Sequence, residues 1–498
     1  MATINIIGSG YSGLSAACFA AKKGNTVHVF EKNASIGGRS RYFKEQEFLF
    51  DMGPSWYWMP DVFENFFGQF GKSPSDYYTL VKTDPAFQVF FSGSSPLKVP
   101  NELEGIYQLF ESIEPGSAQQ LKKFMKEGGL KYAIAMDQLI YKPALSWSEY
   151  ATFNVVKGVF KTHIFKSMSS YVRSFFKDER LIALMEFPVL FLGAMPQQIP
   201  ALYSLMNYAA FQMGTWYPMG GMYKVVEGMA DLAKSLGVEI HTHTEVQKIL
   251  TAHHKVQELA TTRGIYRADA TIATGDYHHI EQHLLDEEHR NYKESYWNER
   301  TMAPTSLIFY LGTTKKIDKL VHHNLFFDAD FKQHAADIYK EPRWPEDPLF
   351  YVCAPSKTDP AVAPEGHENL FVLIPLAAGI NDTPELRELY FDKIMTRMEK
   401  TCGHSIRDSI VVKRSYCVSD FEKDYNAYKG NAYGLANTLM QTAVLKPSMQ
   451  NKHLKNLFYA GQLTVPGPGV PPALISGQIA AEQTQKYLKK TNQSVINA

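Results

Sequence analysis

Two glycine-centred clusters at opposite ends of the chain hold the residues best suited to chemistry. Near the start, Ile4-Asn5-Ile6-Ile7 runs into Gly8-Ser9-Gly10-Tyr11-Ser12-Gly13. Val27-His28-Val29-Phe30-Glu31 follows, and then a second glycine pair, Gly37-Gly38-Arg39. Gly8 permits a tight turn after a buried strand, Gly10 lets the backbone approach a pyrophosphate, and Gly13 lets the next helix pack close to the sheet. The phosphates then sit on a helix N-terminus, where unpaired N–H groups favour anions. Glu31, closing the second strand, is placed to accept hydrogen bonds from both ribose hydroxyls and would repel a 2′-phosphate, which disfavours NADP. The order of these pieces points to bound FAD. At the far end, the strand Asn456-Leu457-Phe458-Tyr459-Ala460 enters a Gly/Pro loop through Gly461 and Gln462, and a helix is expected from Val470-Pro471-Pro472-Ala473 to Gly477. Proline suits the first helical turn because its missing N–H costs nothing there. A helix start aimed at a flavin would stabilise the negative charge that the reduced ring carries near its N1–C2=O edge.

The elements that must position these clusters read as alternating strand and helix. Tyr217-Pro218-Met219-Gly220-Gly221-Met222 precedes a helix over Val225 to Leu236, closed by Gly237 and followed by the strand Val238-Glu239-Ile240-His241. Thr244 to Ile249 continues as a strand, and Asp269 to Gly275 ends in a small-residue turn that lets backbone approach a cofactor. Between about 300 and 415 the pattern turns β-rich, as in Ser306 to Leu311 and Leu370 to Ile374. The expected fold class is α/β. A Rossmann-like FAD-binding domain would comprise residues 1–70, 217–300 and 415–498, with an inserted mixed α+β substrate and membrane-associating domain from 71–216 and 301–414. Phe63, Phe66, Phe67 and Phe70 recur at helical spacing and read as core. Leu190 to Met222 contains no charged residue, which suits either a wall for a greasy ligand or an ordinary core.

Composition narrows the partners. The 498 residues are 45% hydrophobic, enough for two or three domains. Lys+Arg and Asp+Glu are both 51, so there is no global field to attract nucleic acid. No apolar run is long enough for a membrane-spanning helix, and the N-terminus lacks the pattern of a secretory leader. The expected location is cytoplasmic, with peripheral attachment to the inner face of the membrane. Cys18, Cys353, Cys402 and Cys417 lack metal or redox spacing and read as reduced thiols. The pairs His253-His254, His278-His279 and His322-His323 are adjacent rather than spaced i, i+4, so they read as solvated surface residues, and no metal site is expected.

The chain resembles the bacterial-type phytoene desaturase family, in the wider flavin amine oxidase and carotenoid isomerase-like superfamily. The resemblance spans nearly the whole length. It rests on the front glycines with Glu31, on Phe50-Asp51-Met52-Gly53-Pro54, on Trp216 to Met222, and on Gly461 to Gly477. Where relatives often carry a His-Pro-Gly-Ala-Gly loop, this chain has Val465-Pro466-Gly467-Pro468-Gly469. The cofactor-binding set is therefore Gly8, Gly10, Ser12, Gly13, Glu31, Lys32, Gly37, Gly38, Arg39, Gly53, Pro54, Ser55, Val246, Gly275, Gly461, Gln462, Val470, Pro471 and Ala473. By this resemblance Val246 presents its backbone to the adenine, Gly461 and Gln462 line the pyrophosphate and ribityl chain, and Val470 to Ala473 face the flavin ring. The implied activity is desaturation of phytoene or a related carotenoid polyene, with hydride transfer to the flavin and oxygen or a membrane quinone as final acceptor. Hydride loss leaves allylic cation character, for which Asp137, with Tyr141 and Lys142 beside it, is the side-chain candidate, set against a plain surface reading of that cluster. Two other readings use the same scaffold: redox-neutral cis/trans isomerisation of a polyene, and prenyl binding without redox chemistry.

Overall fold

The computed structural model describes residues 1–150, 166–188 and 193–496. Leu190, Phe191 and Leu192, part of the uncharged stretch above, lie outside the described residues. Five parallel strands form one sheet in the order Leu457–Tyr459, Ala270–Ala273, Thr3–Ile7, Thr26–Phe30 and Glu239–His241. Parallel neighbours need crossovers, and the helix Tyr11–Lys22 supplies the first of them. That helix is built of small residues, with Ala16, Ala17 and Ala20 buried, because it is squeezed between the sheet and the C-terminal helix Val470–Ile496. A Cβ on Gly13 would stand 2.0 Å from the Gly8 carbonyl oxygen, and one on Gly477 would stand 2.2 Å from that of Ser12. Ser15 Oγ donates to the Leu474 carbonyl at 2.7 Å across the same contact. Both chain ends are thus locked together beside the front glycine turn.

A second sheet has seven strands in the order Ile410–Tyr416, Thr305–Thr313, Glu368–Leu376, Phe350–Cys353, His323–Phe327, Phe87–Phe91 and Leu97–Val99. All its pairings are antiparallel except that between His323–Phe327 and Phe87–Phe91. Strand periodicity of two divides its faces. Leu307, Phe309 and Leu311, with Leu370, Val372 and Ile374, pack against Ile394, Met395 and Met398 of the helix Pro384–Cys402. Ile308, Phe371 and Leu373 point the other way, into a cavity shared with the parallel sheet.

The aromatic stripe behaves as expected, with Phe63, Phe66 and Phe67 buried in the helix Pro60–Gly68. In the described part of the uncharged stretch, Ile199, Ala209, Ala210, Phe211 and Tyr217 are buried core, and only Met206 reaches the cavity. The four cysteines are free and buried. Among the described residues no helix is long and apolar enough to cross a membrane.

Candidate active site

One continuous cavity of about 490 Å³ runs from the front glycine turn to the face of the seven-stranded sheet. Every residue of the expected cofactor set lines it except Gly13, which instead packs against Gly8. The helix Tyr11–Lys22 opens onto it with neither a side-chain cap nor an acidic residue in its first turn. A Cβ on Gly10 would meet nothing within 4 Å, so the space in front of those N–H groups is open. Arg39 is half-buried in the wall, donating from Nη2 to the Asn431 carbonyl at 3.0 Å, while its buried Nε has no partner in the protein. A bare helix start beside a half-satisfied guanidinium fits an anion such as a pyrophosphate. Glu31 is held in place, one oxygen accepting from Ser9 N at 3.2 Å and Ser9 Oγ at 2.6 Å, the other from Asn33 N at 2.9 Å. Thr244 and Val246 line the cavity with it. The C-terminal helix also begins at the cavity wall, with Val470, Pro471 and Ala473.

The middle motif serves differently. Asp51 accepts from the backbone N–H groups of Met222 and Tyr223 at 2.8 and 3.1 Å, capping the helix Tyr223–Ser235 from a distant segment. Gly221 is required there, because a Cβ would lie 2.8 Å from the carboxylate and its φ is +100°. Burial pushes the Asp51 carboxyl up to about 7. Residues 217–222 do not line the cavity; they dock a helix behind it.

Towards the second sheet the wall turns apolar and aromatic, with Trp56, Trp58, Phe187, Phe327, Phe371 and Tyr351. Two polar side chains in this half are informative. His334 accepts from Leu349 N at Nδ1 and donates from Nε2 to the Pro375 carbonyl, both at 2.9 Å. Those partners fix its tautomer, and burial holds it down to about 4, so it stays neutral. Tyr351 OH lies 2.9 Å from Ser55 Oγ and 2.6 Å from His323 Nδ1, and the His323 ring stacks on Trp56 with centroids 4.0 Å apart. A hydroxyl on the cavity wall is thereby linked to a buried imidazole.

These contacts correct the reading of two histidine pairs. His322 and His323 are 3% and 0% exposed and His278 is buried, whereas His253 and His254 do sit exposed in a turn. His323 opens the buried strand His323–Phe327 and His322 sits in the bend just before it, paired with Thr358 Oγ1 at 2.7 Å, while His278 lies on a short helix against Glu294, so packing buries each of them rather than leaving it on the surface. Asp137 is the other departure. It is exposed on the turn Ala135–Leu139 and absent from the cavity wall, while Tyr141 OH is engaged by Asn65 and Lys142 by the Glu149 carbonyl. Asp276, which the sequence reading passed over, lies beside the expected Gly275 and faces the cavity. It accepts from Tyr428 N and His279 N, and burial raises its carboxyl against the pull of Arg39. Lys446 is also new. It is buried without a hydrogen-bond partner, next to the Val465–Gly469 loop, where a Cβ on Gly467 would lie 3.4 Å from Nζ. Burial pushes its ammonium down to about 7.

Comparison with known proteins fits this geometry. Residues 11–484 match the family described as flavin-containing amine oxidoreductases. The chain belongs to that family. Within it, the protein is 38% identical over 480 residues to a carotenoid 3,4-desaturase of Haloarcula japonica, covering 96% of this chain and 97% of that one. It is 33% identical over 492 residues to a zeta-carotene-forming phytoene desaturase of Myxococcus xanthus, covering 97% and 94%. Among solved structures, an oxidoreductase from Methanosarcina mazei superposes with a TM-score of 0.63 at 15% identity, over 96% of this chain and 100% of the other. The resemblance read from the glycine motifs and the α/β fold class both hold.

Proposed function

We propose that the protein is an FAD-dependent carotenoid desaturase that removes hydrogen from adjacent carbons of a phytoene-like polyene and so lengthens its conjugation. The observation that carries this reading is the continuity of one cavity from the nucleotide-type glycine turn into a water-poor aromatic chamber. When bound, FAD supplies the hydride acceptor that no side chain can be. In this reading the Gly8 to Ser12 backbone and Arg39 bind its pyrophosphate, with Gly37, Gly38, Gly461 and Gln462 closing around it. Glu31 and Lys32 take the ribose, Val246 the adenine, and Gly53, Pro54, Ser55, Gly275 and Val470 to Ala473 the remainder. Residues 1–70, 217–300 and 415–498 serve the cofactor, with Trp56 and Trp58 reaching from the first of these into the chamber; 71–216 and 301–414 serve the substrate. The strand composition of the two sheets supports this division, with a two-residue overrun of Ile410–Tyr416 past the boundary.

In the chamber, Trp56, Phe371 and Tyr351 orient the chain and exclude water. Their ring faces stabilise positive charge developing on the polyene by roughly 0.5–2 kcal/mol each. The lining carboxylates Glu245 and Asp424 face Lys32 and Arg41, and Asp276 lies within the field of Arg39, so anions are tied to the nucleotide side. Exposed Leu145 and Trp147 support peripheral contact with the membrane that dissolves such a substrate. With FAD bound, a membrane quinone or oxygen would be the final electron acceptor.

The test is anaerobic mixing of FAD-loaded protein with phytoene, and separately with a partly unsaturated carotenoid, in lipid vesicles. Bleaching of the flavin with a longer-wavelength polyene product is the expected result. A product with the same number of conjugated bonds would assign isomerisation instead, and protein that folds without retaining flavin would favour prenyl binding.

A further inference from the structure

The parallel sheet ends at the strand Glu239–His241, and its exposed edge carries a group of side chains that the FAD reading does not use. His28 lies opposite Glu239 in the parallel register, and His241 is two residues further on, so all three side chains share one face of the sheet. His28 Nδ1 is 3.3 Å from His241 Nε2 and 3.3 Å from Glu239 Oε2, and His241 Nε2 is 3.6 Å from the same oxygen. Only the edge between the two imidazoles has hydrogen-bond geometry. A single proton serves that edge and leaves the carboxylate oxygen close to both nitrogens without one.

A cation resolves the triangle. Zinc bound tetrahedrally by imidazole nitrogen and carboxylate oxygen at about 2.0–2.1 Å sets its ligand atoms about 3.3–3.4 Å apart. Two of the three separations, 3.3 Å each, match that edge length, and the third, 3.6 Å, lies slightly beyond it. We propose that His28, Glu239 and His241 form a metal site of the two-histidine, one-carboxylate type for zinc or a similar borderline divalent cation, with its remaining position open to water. The side chains are 19%, 62% and 26% exposed, so an ion can enter directly from solvent. The Phe30 and Tyr266 rings flank His241, with centroids 5.2 and 5.5 Å away. Its carbonyl accepts from Glu31 N at 2.9 Å, so a bound ion would clasp the edge strand to its neighbour beside the ribose end of the cavity.

The test uses chelator-stripped, FAD-loaded full-length protein titrated with zinc by calorimetry, and with cobalt by visible spectroscopy. One ion per chain is expected, with the d–d bands of a low-symmetry cobalt site. His28→Gln and His241→Gln should each weaken binding by more than about tenfold with flavin content unchanged. The double variant His253→Gln/His254→Gln, which removes the exposed histidine pair, should bind as the parent does. Absence of stoichiometric binding, or equal affinity in the His28→Gln variant, would overturn the site.

Discussion

The two ends of the cavity are built in different materials. At the nucleotide end the working surface is backbone: the turn at Gly8, the open N–H groups before Ser12, and the start of the C-terminal helix. In the aromatic chamber it is side chains brought together from far apart in the chain, such as Trp56, His323, Tyr351 and Phe371. A backbone site tolerates no added atoms but asks little of chemistry beyond glycine. A side-chain site depends on partners, so its failures are graded.

The largest expected effect follows from that intolerance. Gly13→Ala sets a methyl 2.0 Å from the Gly8 oxygen, against backbone that cannot retreat, and should destabilise the protein by about 3 kcal/mol in urea unfolding with loss of flavin. Gly10→Ala sharpens the contrast. Gly10 has an ordinary extended backbone and nothing within 4 Å of an added Cβ, so the flavin-free protein should unfold at an unchanged midpoint while FAD binding weakens. If both variants bound FAD like the parent, the cavity end would not be a phosphate cradle.

That difference in material also explains what could be read from the chain. Gly8 to Gly13, Gly37 to Arg39 and Gly461 to Ala473 are contiguous because a turn and a helix start are local structures. The chamber is not local. His323 meets Trp56 only because the strands Phe350–Cys353 and Phe87–Phe91 flank His323–Phe327 in one sheet, and no spacing in the sequence encodes that order. Adjacency of His322 and His323 suggested solvent because their buried partners, Thr358 and Tyr351, lie 36 and 28 residues further along the chain. Asp137 is drawn in with Tyr141 and Lys142 because the resemblance places that segment in the substrate domain, yet a charge on a helical turn is most cheaply placed outward. The 217–222 motif was conspicuous for its glycines, which proved to serve helix docking against Asp51.

Lys446 lies outside both ends, buried beside the Val465–Gly469 loop. Its folded value of about 7 is below the ordinary 10.5, so the ammonium is disfavoured in the folded chain. The penalty is complete below pH 7 and fades as pH climbs towards 10.5. Lys446→Met should therefore stabilise flavin-free protein at neutral pH, on the order of a few kcal/mol, with the gain shrinking in alkaline solution. Denaturant midpoints measured across that range check it, and a gain independent of pH would show that packing rather than charge is responsible. In the chamber, Tyr351→Phe leaves His323 Nδ1 buried without its partner and should cost about 1–3 kcal/mol. Turnover should fall while FAD affinity holds, which separates the side-chain half from the backbone half. Equal loss of both would merge them.

The smallest effect probes the buried histidines behind the chamber. Burial pushes His322 down to about 3, and His323 is also held well below its ordinary range. Each therefore stays neutral in the folded chain while the unfolded chain takes up a proton below pH 6.5. The sign is fixed: the unfolded state binds more protons, so stability falls as pH falls through that window. Each such histidine adds about 1.4 kcal/mol of lost stability per pH unit. His322→Gln should flatten the acid limb of urea midpoint against pH by one proton's worth, whereas the exposed His253→Gln should leave it unchanged. Equal slopes for the two variants would place His322 in contact with solvent and remove the dry wall on which the chamber depends.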